Sequence, residues 1–138
     1  MTDTLDSAVF HLMRKLFQAH TSCWQEALPH VTKPQFSVLH AIAQSPGIEQ
    51  VDLVEAAITT KATLAELLGR MEKRGLINRQ HGTQDKRRRF VYLTEEGEQL
   101  YHASMQVVQA LDMKFLSRIS AADQQQLLRI LSTLSVNP

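Results

Sequence analysis

The amino-acid sequence predicts a mainly α protein carrying one small β-hairpin. Three observations lead there. Apolar residues recur at helical spacing in six stretches, the period drops to two only after Gly75, and 138 residues suit a single domain with a single core.

Ser7 to Leu28 forms the first helix, with Val9, Met13, Leu16, Phe17, His20, Trp24 and Ala27 on one face and Pro29 as its stop. Thr32-Lys33-Pro34-Gln35 has the spacing of a capping box with proline in the first turn. Phe36, Leu39 and Ala43 then continue a second helix until Ser45-Pro46-Gly47. Gln50 to Ala57 offers Leu53, Val54 and Ala57 for a short third helix. Thr59 or Thr60 caps a fourth, whose apolar stripe is Leu64, Leu67, Leu68 and Met71 and which Gly75 ends.

Leu76 to Arg79 and Arg89 to Leu93 read as strands joined by the polar loop His81 to Lys86. Thr94 caps a long fifth helix with Glu95 and Glu96 in its positive first turn, and Leu100, Ser104, Val107, Leu111 and Phe115 mark its apolar stripe. Ser120 caps the last helix, where Leu127, Ile130, Leu131 and Leu134 share a face.

The composition, 43% hydrophobic and 21% charged, is that of a globular protein, and no apolar run exceeds the four residues Phe90 to Leu93. Met1 to Phe10 has two acids and no basic residue before an apolar stretch, so no secretory signal is expected and the chain is expected in the cytoplasm. The single cysteine, Cys23, fits a reducing compartment. There is no phosphate-cradling glycine loop, HExxH or nucleophile elbow, which speaks against an enzyme or a cofactor. His11, His20, His30, His40, His81 and His102 are scattered without a ligand-spaced pair, which speaks against a metal site.

The net charge of +1 conceals an asymmetry. From Thr59 to Phe90 nine basic residues face three acids, a block of +6, which leaves the rest of the chain at −5. That is the electrostatic footprint of a nucleic-acid-binding element on a scaffold with another task. Two short helices followed by a hairpin with a basic tip make a winged helix-turn-helix, in which the second short helix enters the major groove of double-stranded DNA and the wing approaches a minor groove.

On the fourth helix the buried stripe turns Lys61, Ala62, Ala65, Glu66, Gly69 and Lys73 outward. Ala62 or Ala65 suits a thymine methyl, Lys61 guanine or phosphate, and Glu66 cytosine; Glu66 is equally suited to pairing with Arg70 at i, i+4. Thr60 and Thr63 complete this face. Arg87 is the candidate for minor-groove insertion, with Arg88 and Arg89 beside it and Asp85 placed to hold Arg87 in a set rotamer. The end helices carry more apolar surface than so small a chain can cover alone, so a homodimer is expected, bound to an inverted repeat with half-sites about 10 base pairs apart.

Thr32 to Leu39, Met71 to Arg79 and Asp85 to Gly97 resemble the LTxxQFxVL, LExRGLIxR and DxRxxxVxLTxxG segments of the MarR family of winged-helix transcriptional regulators. The resemblance covers about Phe10 to Leu134. It implies one MarR-type domain over 1–138, with a DNA-binding lobe at about 32–97 and dimerisation helices at about 5–28 and 98–136. Three features depart from the pattern: Lys33 follows the threonine, Ile58 stands at the usual glycine of the helix-turn-helix, and Thr60-Lys61-Ala62-Thr63 replaces the commoner Asp-Arg-Ser-Thr.

The resemblance further implies a pocket between the dimerisation helices and the DNA-binding lobe, often occupied by phenolic or aromatic carboxylic acids. The first helix is similar to members in which an arginine and a histidine hold such an acid. Arg14 then clamps a carboxylate, His20 and Trp24 bond a hydroxyl and stack on a ring, and His11 and His40 line the same space. The expected function is a repressor released by a small aromatic acid or a related thioester. The alternative is a hydroperoxide sensor acting through Cys23, although His20 to Trp24 does not resemble the cysteine motif of that branch.

Overall fold

The computed structural model describes residues 5–136. Along the chain run α1 (Leu5–Ala27), α2 (Lys33–Gln44), β1 (Ile48–Glu49), α3 (Gln50–Ala56), α4 (Lys61–Lys73), β2 (Ile77–His81), β3 (Arg89–Leu93), α5 (Glu95–Leu116) and α6 (Ala121–Leu134). α2, α4, α5 and α6 begin where side-chain oxygens satisfy their free N–H groups. Thr32 and Gln35 form the full capping box of α2, and Thr60, Thr94 and Ser120 accept from the third residue of α4, α5 and α6.

The hairpin is part of a three-stranded antiparallel sheet in the order β1-β3-β2. β1 is absent from the sequence-based expectation; it pairs Ile48 with Val91 and Glu49 with Phe90. Ile77 pairs with Leu93 and His81 with Arg89, which puts Lys86 to Arg88 in the turn region beyond the paired strands. Val91 is fully buried, and Leu93 on the same face packs against the core.

The main core lies among α2, α3, α4 and the sheet, where Leu39, Ile42, Leu53, Leu64, Leu68, Met71 and Val91 are buried together. Burying several such side chains at about 1.5–3 kcal/mol each outweighs the weak intrinsic helicity of segments as short as α3. The apolar stripe of α5 runs through Tyr101, Ser104, Val108 and Leu111, so Val108 takes the buried place expected of Val107.

The motif that ends in Gly97 has a steric cause. Thr94 donates from Oγ1 to the Gly75 carbonyl at 2.6 Å and accepts from Gly97 N–H at 3.0 Å, drawing α5 against the end of α4. A Cβ on Gly97 would lie 2.0 Å from the Leu76 carbonyl oxygen, a spacing that only glycine allows. A second cluster of Trp24, Val108 and Leu111 joins α1 to α5. Beyond it, Phe10, Leu12, Leu16 and Phe17 on α1 and Leu127, Leu128, Ile130, Leu131 and Leu134 on α6 are exposed.

Candidate functional site

The basic surface is built on α4 and the wing. Lys61, Ala62, Thr63, Ala65, Glu66 and Lys73 are all exposed, opposite the buried Leu64, Leu68 and Met71. Thr60 also holds the start of the helix, since its Oγ1 accepts from Thr63 N–H at 3.2 Å and donates to Thr63 Oγ1 at 3.0 Å. Glu66 meets Arg70 at 2.7 Å on the wet side of the helix, a pairing worth only a few tenths of a kcal/mol.

In the wing, Asp85 accepts from the Arg87 backbone N–H at 3.0 Å and from its Nε and Nη2 at 3.2 and 3.3 Å. These bonds hold the Asp85 carboxyl below its usual range, and Arg87 keeps 92% of its side chain in solvent. The expected clasp is therefore formed. Arg88 behaves differently, because Glu49 engages its guanidinium at 2.6 Å. Arg79 on β2 donates to both oxygens of Glu72 on α4, and that bonding keeps Glu72 low as well. Nothing in the sequence pattern marks Glu49 or Glu72, since both partnerships arise only when the hairpin folds onto the helices.

Between the start of α3, the start of α4 and the wing lies a cleft of about 440 Å³ with Val51, Val54 and Leu64 at its floor and Lys61, Arg87, Arg88 and Arg89 around it. Glu49 lines it too and engages Arg88, so Lys61, Arg87 and Arg89 are the cations that suit a nucleic-acid backbone.

A second cleft, of about 490 Å³, opens between α1, α2, α5 and α6. Its lining includes Leu16, Phe17, His20, Trp24, Lys33, Phe36, Asp112, Phe115, Leu127 and Leu131. His20 and Trp24 do meet here. Trp24 is 5% exposed and donates its indole N–H to the Val31 carbonyl at 2.7 Å. Lys33 Nζ stands 5.9 Å from the Phe17 ring centroid and 6.0 Å from that of Trp24. Burial pulls the Lys33 ammonium below the usual lysine range, and the charge of Asp112 pushes back.

Three expected lining residues lie elsewhere. His11 and Arg14 sit with Lys15, Gln18, Thr21, Ser22 and Gln25 along another stripe of α1. The reason is helical geometry: six residues separate Arg14 from His20, which places them roughly 120° apart around the axis. His40 bonds Tyr101 Oη through Nδ1 at 2.8 Å and stacks on Phe36, so it closes the α2–α5 contact and does not line the cleft. Lys33 is the ammonium among the described residues that line this cleft, and the sequence marks its place only as a departure from the family pattern. Asp112 and Phe115 come from α5, where packing alone decides which residues turn inward.

Cys23 is half-buried beside Ala27, Leu111 and Lys114. Among the described residues no three His, Cys, Asp or Glu side chains are grouped to hold a metal ion, and no helix is long and apolar enough to cross a membrane.

The MarR family sequence model matches residues 31–88. The transcriptional regulator HosA of Escherichia coli O157:H7 is 56% identical over 122 residues, covering 88% of this chain and 90% of that protein. The homoprotocatechuate degradative operon repressor of Escherichia coli is 28% identical over 102 residues, 74% of this chain and 69% of that one. The crystal structure of the PcaV regulator from Streptomyces coelicolor with its natural ligand has a TM-score of 0.90 at 28% identity, over 98% of this chain and 96% of that one. On these matches the chain belongs to the MarR family of winged-helix transcriptional regulators.

Proposed function

We propose that a homodimer of this chain represses transcription from an inverted-repeat operator and is released by an aromatic carboxylic acid, or a related thioester, bound in the cleft beside Trp24. The observation that carries the effector class is the pairing of a partly desolvated ammonium, Lys33, with the rings of Phe17, Trp24, Phe36 and Phe115 in one opening. With the Asp112 carboxylate at the same wall already engaged by His20, an apolar slot with the Lys33 ammonium beside it favours a flat acid. The name of the homoprotocatechuate operon repressor, a relative called after an aromatic acid, supports the same class, and the ligand-bound state of PcaV supports a small-molecule effector.

In this reading Lys61, Ala62, Thr63, Ala65 and Glu66 face the bases of the major groove, Thr60, Lys73 and Arg89 meet the backbone, and Arg87 enters the minor groove. The exposed apolar faces of α1 and α6 support the dimer, because a solitary chain would leave them in water. Lys33 takes the carboxylate within a protomer. Within one protomer Arg14 and His11 line another stripe of α1, so in this reading they contribute only where a dimer brings that stripe to the partner's cleft.

The test is a gel shift on the DNA upstream of the chain's own gene, repeated with aromatic acids, hydroperoxide and zinc. Release by aromatic acids alone supports the proposal. Release by hydroperoxide only while Cys23 is present replaces it with redox sensing, and failure to bind any duplex removes it.

A further inference from the structure

Sequence alone treats Lys86 to Arg89 as one basic tip, but their partners divide them. Among the described residues Arg87 bonds only Asp85, two residues away, and so moves with the tip. Arg88 reaches back 39 residues in sequence. Its Nε and Nη2 both donate to Glu49 Oε1, at 3.0 and 2.6 Å, while its guanidinium carbon lies 5.1 Å from the Phe90 ring centroid. Glu49 sits where β1 passes into α3, with only 19% of its side chain exposed.

The position of this contact matters mechanically. The β1–β3 ladder ends at Glu49 and Phe90, so toward the tip the wing is a two-stranded ribbon with no third strand to hold its angle. Isolated two-stranded ribbons are weak and twist readily. Arg88, one residue before β3, ties the tip side of the hairpin to Glu49, and Arg79 to Glu72 on α4 and Gln50 on α3 is its counterpart from β2.

We propose that Arg88 is a positioning residue: held by Glu49 and Phe90, it sets the angle of the wing against α3 and thereby aims Arg87, and it is not itself a phosphate contact. This rests on the reading that the wing meets DNA. It fixes the sign of one substitution. By charge alone, removing the acid Glu49 from a DNA-facing surface tightens binding; as the anchor of Arg88, its removal weakens binding.

The experiment measures fluorescence anisotropy of a duplex recovered from a random-sequence library with the parent protein, over a series of salt concentrations. The variants are Glu49→Gln, Arg88→Gln, the exchanged pair Glu49→Arg with Arg88→Glu, and Arg87→Gln, with melting temperature and mass recorded for each. Glu49→Gln and Arg88→Gln each weaken binding by about threefold to fivefold, the span of an exposed ion pair, and leave the salt slope of the parent. The exchanged pair regains most of that loss. Arg87→Gln weakens binding and reduces the slope by about one. Tighter binding by Glu49→Gln, a slope reduced by about one in Arg88→Gln, or an exchanged pair weaker than either single variant overturns the proposal. Unchanged affinity in Arg87→Gln overturns instead the reading that the wing touches DNA.

Discussion

His20 Nε2 lies 2.7 Å from Asp112 Oδ1, joining α1 to α5, while the other nitrogen of the same ring is buried with no partner. A carboxylate only accepts, so Nε2 donates, and in the neutral imidazole Nδ1 is then a bare acceptor shut away from water. Such a group carries a desolvation cost, which a ligand hydroxyl relieves once the His20 ring turns its covered nitrogen toward the cleft that it lines. The ring also packs 5.2 Å from Phe115 and 6.2 Å from Trp24, contacts that an aromatic substitute retains.

The first prediction follows from that bare nitrogen. The parent protein prefers 4-hydroxybenzoate to benzoate by about tenfold, and His20→Phe binds the two equally, because a site built around a hydroxyl disfavours an analogue that lacks one. Isothermal titration of both acids against both proteins measures this. An undiminished preference in His20→Phe separates His20 from hydroxyl recognition.

Ile58 yields the second. It is a β-branched residue at φ 53°, in the left-handed region, and 93% exposed at the turn between α3 and α4. Left-handed backbone costs such a residue about 1–2 kcal/mol, and no buried contact repays it. Ile58→Gly removes that strain and adds about 0.4–1 kcal/mol of chain entropy to the unfolded state, so the variant is more stable by about 0.5–1 kcal/mol. The urea midpoint rises at unchanged slope; a fall in the midpoint contradicts the strain.

The third concerns acid. Arg88 holds Glu49 below the usual carboxylate range, Arg79 does so for Glu72, and Arg87 for Asp85. For groups depressed on folding, the stabilisation is complete above the unfolded pKa, about 4, and is lost as pH falls through the lower folded values. Stability is therefore level in these groups from neutral pH to about 5 and declines below about 4. Denaturation midpoints at a series of pH values test this, and Glu49→Gln with Glu72→Gln flattens the acid limb. An acid limb identical in the double variant shows that these pairs do not set it.

The fourth is the dimer. Leu12 and Leu128 are 61% and 64% exposed in one protomer, on helices outside the main core. Light scattering at micromolar concentration reports twice the chain mass, and Leu12→Glu with Leu128→Glu reports the chain mass while the DNA-binding lobe keeps its helical signal. A parent protein that stays a folded monomer contradicts the proposal.

Local chemistry made much of this fold legible. Thr32, Thr60, Thr94 and Ser120 cap helices because a hydroxyl at that spacing satisfies a free N–H whatever the tertiary context. Asp85 and Arg87 were readable for the same reason, being neighbours in the chain. What stayed hidden depends on residues distant in sequence: β1 is a strand only because Val91 and Phe90 pair with it, and Lys33 and Asp112 meet the cleft through packing of α2 and α5 against α1. Arg14 was drawn toward His20 by sharing its helix, and the turn of that helix separates them.

The central claim is that an aromatic acid bound beside Trp24 and Lys33 loosens the grip on DNA. The most direct measurement titrates 4-hydroxybenzoate into the complex of protein and selected duplex, for the parent and for Lys33→Met, with melting temperature recorded. To lower DNA affinity tenfold the acid must favour the DNA-incompetent arrangement by about 1.4 kcal/mol, within the reach of one charge-assisted contact made in that arrangement alone. The account predicts that the parent releases the duplex and that Lys33→Met needs about tenfold more acid to do so. Release at the same concentration from both proteins, or a parent complex that no aromatic acid dissociates, contradicts it.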